Sequence, residues 1–160
     1  MSKGISMAKT AFEEALILVK DTSLTSSQFR NYFAELRLIQ RDWEERGKNW
    51  EDIQLALELL IARLAYGRRK SGGVPERFFQ LLVPQLRKAQ ASRESFTEVS
   101  NFIEAILAFF YPLKELKDEI DKENIKIDEE NRKLPRDSWK PRRDFEKEAR
   151  EKFGRWLEGV

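Results

Sequence analysis

The apolar residues of this chain recur with the helical period, and no stretch alternates between apolar and polar residues as a strand does. Apolar residues at i, i+3, i+4 and i+7 form a stripe that a helix must bury against another element. The pattern therefore predicts an all-α protein, a compact bundle of about five helices. We assign residues 1–112 to the helical bundle core and residues 113–160 to a charged C-terminal helical extension.

Two helix starts carry the spacing of a capping box, in which two side chains bond the free backbone N–H groups at a helix N-terminus. Thr25 with Gln28 predicts one start, and Ser95 with Glu98 predicts another. A third helix is predicted to begin near Asn49, because acidic residues directly follow that position and favour the positive end of the helix dipole.

Two prolines fall inside helical patterns. Pro84 predicts a kink or a local break, and Pro112 predicts an interruption, because proline lacks the backbone N–H that a helix interior needs. Beyond Pro112, residues 114–133 are charge-dense, and an exposed helix and disorder both remain open. The last stretch has helically spaced apolar residues that form a docking face, for its own domain or for a partner: Phe145, Ala149, Phe153, Trp156 and Leu157.

The third helix is apolar on two sides. One face consists of Ile53, Leu57, Leu60 and Leu64, and the other of Leu55, Leu59, Ala62 and Tyr66. Such a helix is either central in its domain or shared with a neighbouring subunit.

The net charge of +2 conceals a strong local asymmetry. Between Ile61 and Arg93 there are eight basic residues and only one acidic residue, Glu76. A local excess of this kind predicts a polyanionic partner, although a solvated cationic surface is an equally simple interpretation.

Composition argues against catalysis and against a bound metal or cofactor. The chain has no cysteine and no histidine, so thiolate chemistry and the usual general base are both missing. Asp118, Asp121 and Glu129 are the best candidates for a carboxylate metal site, but Lys117 and Lys122 beside them favour exposed ion pairs instead. We expect no enzyme activity, no metal and no cofactor.

No segment has the pattern of a signal peptide, and no run is long and apolar enough to span a bilayer. The expectation is a soluble, cytoplasmic protein that does not contact a membrane.

The basic residues around the end of the third helix are the best candidates for binding a nucleic acid. Arg63 and Lys70 project from one side of the helix, and Arg68 and Arg69 lie at its flexible glycine-rich end. Guanidinium groups bind phosphate oxygens in pairs, and Tyr66 could stack on a base, although burial is the commoner fate of such a tyrosine. Phosphate contacts carry no sequence information, so this site would bind RNA or DNA without sequence preference.

Three segments together resemble the Csm small subunit of type III-A CRISPR complexes. They are residues 25–36 (TSSQFRNYFAEL), residues 63–68 (RLAYGR) and residues 102–109 (FIEAILAF), and they occur in the family's order. The resemblance covers about residues 7–112 and does not reach the last part of the chain.

The resemblance implies a non-catalytic helical subunit of an RNA-guided effector complex in antiviral defence. Copies of it would lie beside the guide-binding backbone subunit, contact the single-stranded target RNA and the guide RNA duplex, and touch the large polymerase subunit at one end. It carries over Arg30, Arg63 and Arg68 as RNA contacts, and charge and proximity add Arg37, Arg69 and Lys70. The alternatives are a small subunit of a Cmr-type complex and a helical protein–protein interaction or regulatory protein.

Overall fold

The computed structural model describes residues 3–68 and 73–157, apart from the side chains of residues 3–5, 68 and 156. These residues form α-helices and one short 3-10 helix (Arg136–Ser138), and no strand occurs in either range. The helices are α1 (Lys3–Asp21), α2 (Ser26–Glu44), α3 (Trp50–Arg68), α4 (Glu76–Ala89), α5 (Arg93–Asn131) and α6 (Phe145–Leu157). The prediction of an all-α bundle with a C-terminal helix is confirmed.

The other helices pack around α5. This helix contacts α1, α2, α4 and α6, whereas α3 lies to one side against α2 and α4. Buried apolar residues recur along α5 at helical spacing, from Phe96 through Phe110 to Ile120. The core is therefore organised along a single helix of 39 residues.

Only one of the two apolar faces of α3 is buried. Ile53, Leu57, Leu60 and Leu64 belong to the core, while Leu55 and Leu59 are more than half exposed. Since α3 is not central in its domain, the bundle does not account for its second face.

Two of the three predicted helix starts are confirmed. Thr25 accepts a hydrogen bond from the N–H of Gln28 (3.1 Å), whose side chain accepts one from the N–H of Thr25 (3.0 Å). Asn49 accepts a hydrogen bond from the backbone N–H of the third residue after it, at the start of α3 (2.9 Å).

The third predicted start is wrong by three residues. Ser92, not Ser95, is the N-cap of α5, and its hydroxyl accepts a hydrogen bond from the N–H of Ser95 at 3.0 Å. Two serines three positions apart offer competing caps, and the chain adopts the earlier one, which adds a turn to the helix.

The interruption predicted at Pro112 is also wrong, because α5 continues through it, as α4 continues through Pro84. Each proline leaves the carbonyl four residues earlier without its helical partner. Those residues, Gln80 and Ala108, are exposed, so water can solvate the carbonyls. The boundary placed between residues 112 and 113 therefore falls inside α5, and residues 114–131 are helical rather than disordered.

The chain that follows α5 is anchored to that helix by hydrogen bonds between two asparagine side chains and the main chain. Asn124 donates to the carbonyl of Arg143 (3.0 Å) and accepts from its N–H (2.8 Å). Asn131 makes the same pair of bonds with Lys140 (3.0 and 2.9 Å). Both asparagines are buried, and together they hold the returning chain along the helix.

Helix α6 docks on α1 and α5 of its own chain. Phe145 and Ala149 are buried, and the ring of Phe153 lies 6.3 Å from that of Phe12 in α1. Ion pairs between α1 and α6 lie beside this contact, Lys20 with Glu146 and Arg150 with Glu13. At the start of α6, the hydrogen bond between Arg143 and Glu148 raises the pKa of the arginine and lowers the pKa of the carboxyl.

We predict that each asparagine protects one backbone amide. Asn124→Ala should speed hydrogen exchange at the N–H of Arg143, and Asn131→Ala should do so at Lys140, because each loses its acceptor. Each variant should lose about 1–3 kcal/mol of stability with its two hydrogen bonds. Exchange measured by NMR and thermal unfolding test this, with exposed Asn101→Ala on the same helix as the control. Equal exchange at both amides in all variants would contradict the anchoring role.

Candidate nucleic-acid interface

A cleft of about 390 Å³ lies between α2 and α3 at the end of α3. Residues of both helices and of the segment after α3 line it: Gln28, Asn31, Tyr32, Glu35, Arg63, Tyr66, Gly67, Gly73 and Val74. The lining positions recur at i, i+3, i+4 and i+7 on α2 and at i, i+3 and i+4 on α3, so each helix contributes one side. The cleft thus brings together Arg63 and Tyr66, two of the predicted site residues.

An ion pair across the cleft holds Arg63. Its Nη1 lies 3.2 Å from Oε2 of Glu35, and the arginine side chain remains 57% exposed. That carboxylate oxygen is buried and has no hydrogen bond of good geometry from a described residue. The contact is therefore mainly coulombic, and it orients the guanidinium while leaving N–H donors available to an anion.

The side chain of Tyr66 is 63% exposed. The expectation that a tyrosine at this position is buried in the core is therefore wrong. Its ring lies at the cleft one turn beyond Arg63, an arrangement in which an aromatic surface and a cation are adjacent.

Close packing of Tyr32 against Gly67 shapes the floor of the cleft. A Cβ at Gly67 would lie 2.6 Å from the Tyr32 hydroxyl, so only glycine fits there without a shift. Burial, followed by the charge of Glu35, raises the pKa of Tyr32, and Arg63 opposes this. Sequence reasoning missed both residues, because it treated Gly67 as part of a flexible corner.

Arg30 and Arg37 do not join the cleft. Helical geometry puts them about 150° around α2 from the cleft-lining positions. Arg30 is exposed, whereas the guanidinium of Arg37 lies 5.9 Å from the ring of Phe33 and donates to Gln40 at 3.2 Å. The predicted site residues therefore occupy two separate surfaces of α2 and α3.

The rest of the predicted cluster is only partly described. Arg68 is the last residue of α3, and its side chain, together with Arg69 and Lys70, lies outside the described residues. The N–H of Val74 donates to the carbonyl of Gly67 at 3.2 Å. Gly67 and Gly73, which precede and follow residues 68–72, both line the cleft.

Two of the three carboxylates considered for a metal site, Asp118 and Asp121, form ion pairs. Asp121 pairs with Lys117 at 2.9 Å and Asp118 with Lys114 at 3.7 Å, both at the i, i+4 spacing of an exposed helix face. The described residues contain no group of three or more acidic side chains arranged to hold a metal ion.

Comparison with known proteins identifies the family. The sequence model described as Csm2 Type III-A matches residues 3–129. The chain belongs to this family. No curated protein and no solved structure matches the chain.

Membership in the Csm2 family confirms the resemblance and makes the chain a small subunit of a type III-A CRISPR effector complex, which associates with the other subunits of that complex. The match extends beyond residue 112, where the resemblance was expected to end, and it includes the cleft and most of α5; it ends before the 3-10 helix and α6. Within the part of this Csm2 chain that the structure describes, none of the helices has the length and apolar character needed to cross a bilayer.

We predict that Gly67→Ala deforms the cleft. The added methyl would push Tyr32 aside and lower the free energy of unfolding by about 1–3 kcal/mol, as overpacking does elsewhere. Tyr32→Phe removes the oxygen that clashes with the new methyl, so the double variant Gly67→Ala with Tyr32→Phe should recover part of the lost stability. Chemical denaturation of the two single variants and the double variant measures this coupling energy.

Gly154→Ala provides the matched control. This glycine also lies in a helix, but among the described residues no atom outside its own helical backbone and its two chain neighbours lies within 4 Å of the position of its Cβ. Alanine there should stabilise the helix by about 1 kcal/mol. Equal effects at both glycines would show that close packing at Gly67 is unimportant.

Proposed function

We propose that this protein is a non-catalytic subunit that binds the backbone of target RNA, paired with or next to the guide, and scaffolds the effector complex. The observation that carries the proposal is the cleft lined by both Arg63 and Tyr66, with Gly67 and Gly73, on either side of the basic segment 68–72, also lining it. A cation and an exposed ring in one groove suit a strand of alternating phosphates and bases.

Such a site would not select a sequence. The cation and the aromatic ring at the cleft suit contacts with phosphates and base faces rather than with base edges. In an RNA-guided complex, pairing with the guide selects the target, so a subunit facing arbitrary targets needs only backbone contacts.

The predicted site residues lie on two surfaces, the cleft between α2 and α3 and the opposite side of α2, and we give these surfaces different roles. Arg63, Tyr66 and the segment carrying Arg68, Arg69 and Lys70 form the principal contact at the cleft. Arg30 and Arg37, on the other side of α2, would meet RNA or a neighbouring subunit only beyond that helix, so they are secondary candidates.

The exposed face of α3 supports the scaffolding role. Leu55 and Leu59 are 60% and 55% exposed, and their stripe continues to Tyr66. Apolar residues in a row on an exposed helix face indicate a protein partner. We assign this face to a second copy of the chain, because a copy packed there would place its neighbour directly beside the RNA cleft. The guide-binding backbone subunit and the large polymerase subunit would use other surfaces.

Nothing in the cleft suggests chemistry of its own. Glu35, the carboxylate there, forms an ion pair with Arg63, and the described residues that line the groove include no serine, threonine, cysteine or lysine to act as a nucleophile. Cleavage of RNA and synthesis of nucleotides are accordingly assigned to other subunits.

The RNA role is tested by Arg63→Gln against Arg87→Gln. Arg87 is 58% exposed and lies 3.3 Å from Glu58, which nearly matches Arg63 in exposure and pairing but lies outside the cleft. Removing one phosphate contact should weaken binding and make the slope of log K against log[salt] shallower by about 0.7 for a single strand. Anisotropy with two RNAs of unrelated sequence, across a salt series, measures both.

Only Arg63→Gln should show this change, and it should do so equally with both RNAs. If both variants lose the same amount of RNA affinity, the effect comes from net charge and not from the cleft. If Arg63→Gln loses affinity for only one of the two RNAs, binding without sequence preference is contradicted.

The self-association role is tested by Leu59→Lys. A lysine on the exposed face should leave the isolated fold within about 0.5 kcal/mol of its original stability. It should lower the number of small subunits in the assembled complex, counted by native mass spectrometry. Ile125→Lys, at a position 59% exposed on α5, is the control and should not change that number. Full copy number with Leu59→Lys would refute the assignment.

A further inference from the structure

The loop that connects α5 to α6 is anchored to the bundle at several points. Residues 132–143, here called the return loop, lie outside the residues that the family model matches. Asn131 and Asn124 bond the main chain of Lys140 and Arg143 near its end, and the 3-10 helix forms its turn. Its side chains therefore project from a well-anchored backbone rather than from a free tail.

This loop carries positive charge that the bundle does not neutralise. Six of its residues are basic and one, Asp137, is acidic. Lys140, Arg142 and Arg143 form ion pairs with carboxylates of α5 or α6.

The other three basic residues are exposed and form no ion pair with the described part of the chain: Arg132, Lys133 and Arg136. Burying any of them against a protein would require carboxylates on the partner, whereas a phosphate chain supplies the charge directly.

An exposed indole lies among these cations. Trp139 is 49% exposed, although tryptophan is usually largely buried. Its Nε1 donates to the carbonyl of Leu134 at 3.1 Å, and the guanidinium of Arg136 lies 5.5 Å from its ring centroid. The hydrogen bond and the stacked guanidinium both restrict the ring, so it can receive another planar group at little cost in side-chain entropy.

We propose that the return loop is a second binding site for single-stranded RNA, in which one base stacks on Trp139 and Arg132, Lys133 and Arg136 bind the neighbouring phosphates. An aromatic platform within a group of unpaired cations is the arrangement that single-strand sites use without sequence preference. The inference takes the ligand, a single strand of RNA, from the proposed function. The location of the site is argued independently, from the residues of the return loop.

The two sites are far apart on the molecule. Phe110 of α5 packs on Phe29 at the level of the cleft, with their ring centroids 5.4 Å apart. The return loop begins after Asn131, about 30 Å further along the helix axis. A strand long enough to reach both sites should therefore bind more tightly than a short one.

The test uses the full chain at low salt and uridine oligomers that carry a photoreactive base. Crosslinked peptides mapped by mass spectrometry should include Trp139, independently of those from the Tyr66 cleft. Trp139→Ala should weaken binding of the long oligomer at least about fivefold, the lower end of base–aromatic stacking, and Trp139→Phe should retain most of it.

Charge is tested with a matched pair of double variants. Arg132→Gln with Lys133→Gln should weaken binding, whereas Lys122→Gln with Lys126→Gln removes the same charge from exposed positions on α5 and should not. Equal losses in the two double variants would overturn the proposal.

The outcomes separate the two sites. Crosslinks at the cleft alone overturn the return loop and leave the proposed function standing, and crosslinks at the loop alone do the reverse. No RNA binding at low salt overturns both. If the loop variants bind RNA normally but fail to assemble with the other subunits, the loop is a protein contact and the proposal is wrong.

Discussion

Burial of the apolar stripe of α5 is the interaction on which the rest of the molecule depends. This helix contacts α1, α2, α4 and α6, and α1 packs on it through Phe12, whose ring lies 5.6 Å from that of Phe109. Because apolar burial is the main favourable term in folding, a helix that contacts four others determines their relative positions. Phe110 ties α5 to Phe29 and thus to the cleft, while Asn124 and Asn131 tie the same helix to the return loop. Both candidate RNA-binding sites are therefore held in position by the same helix, α5.

Local signals explain how much of the fold could be predicted from the sequence. The capping box at Thr25 and the cap at Asn49 involve side chains and backbone groups within one turn, so the sequence contains the whole interaction. The continuity of α5 through Pro112 could not be predicted in this way. The cost of a proline in a helix is about 3 kcal/mol, and the buried neighbours Phe110 and Leu113 offset it through tertiary contacts.

In the candidate site, too, the features set within one helix could be predicted from the sequence and those set by packing between helices could not. The spacing of Arg63 and Tyr66 places them on one side of a helix, and this much is visible in the sequence. Which side of α2 faces α3 is a matter of packing, so the separation of Arg30 and Arg37 from the cleft was not predictable. The contact of Gly67 with Tyr32 joins residues 35 positions apart in different helices, and nothing local marks it. The exposure of Tyr66 likewise depends on α3 lying at the side of the bundle.

The way the return loop is anchored has a consequence for how freely this region can diverge. The two asparagines bind peptide groups, which every amino acid carries, and do not bind the side chains of Lys140 or Arg143. Substitutions along the loop can therefore alter its charge and its aromatic content without undoing its attachment. The bundle would then be a constant frame, and the loop an interchangeable surface that related organisms could adapt to different effector assemblies.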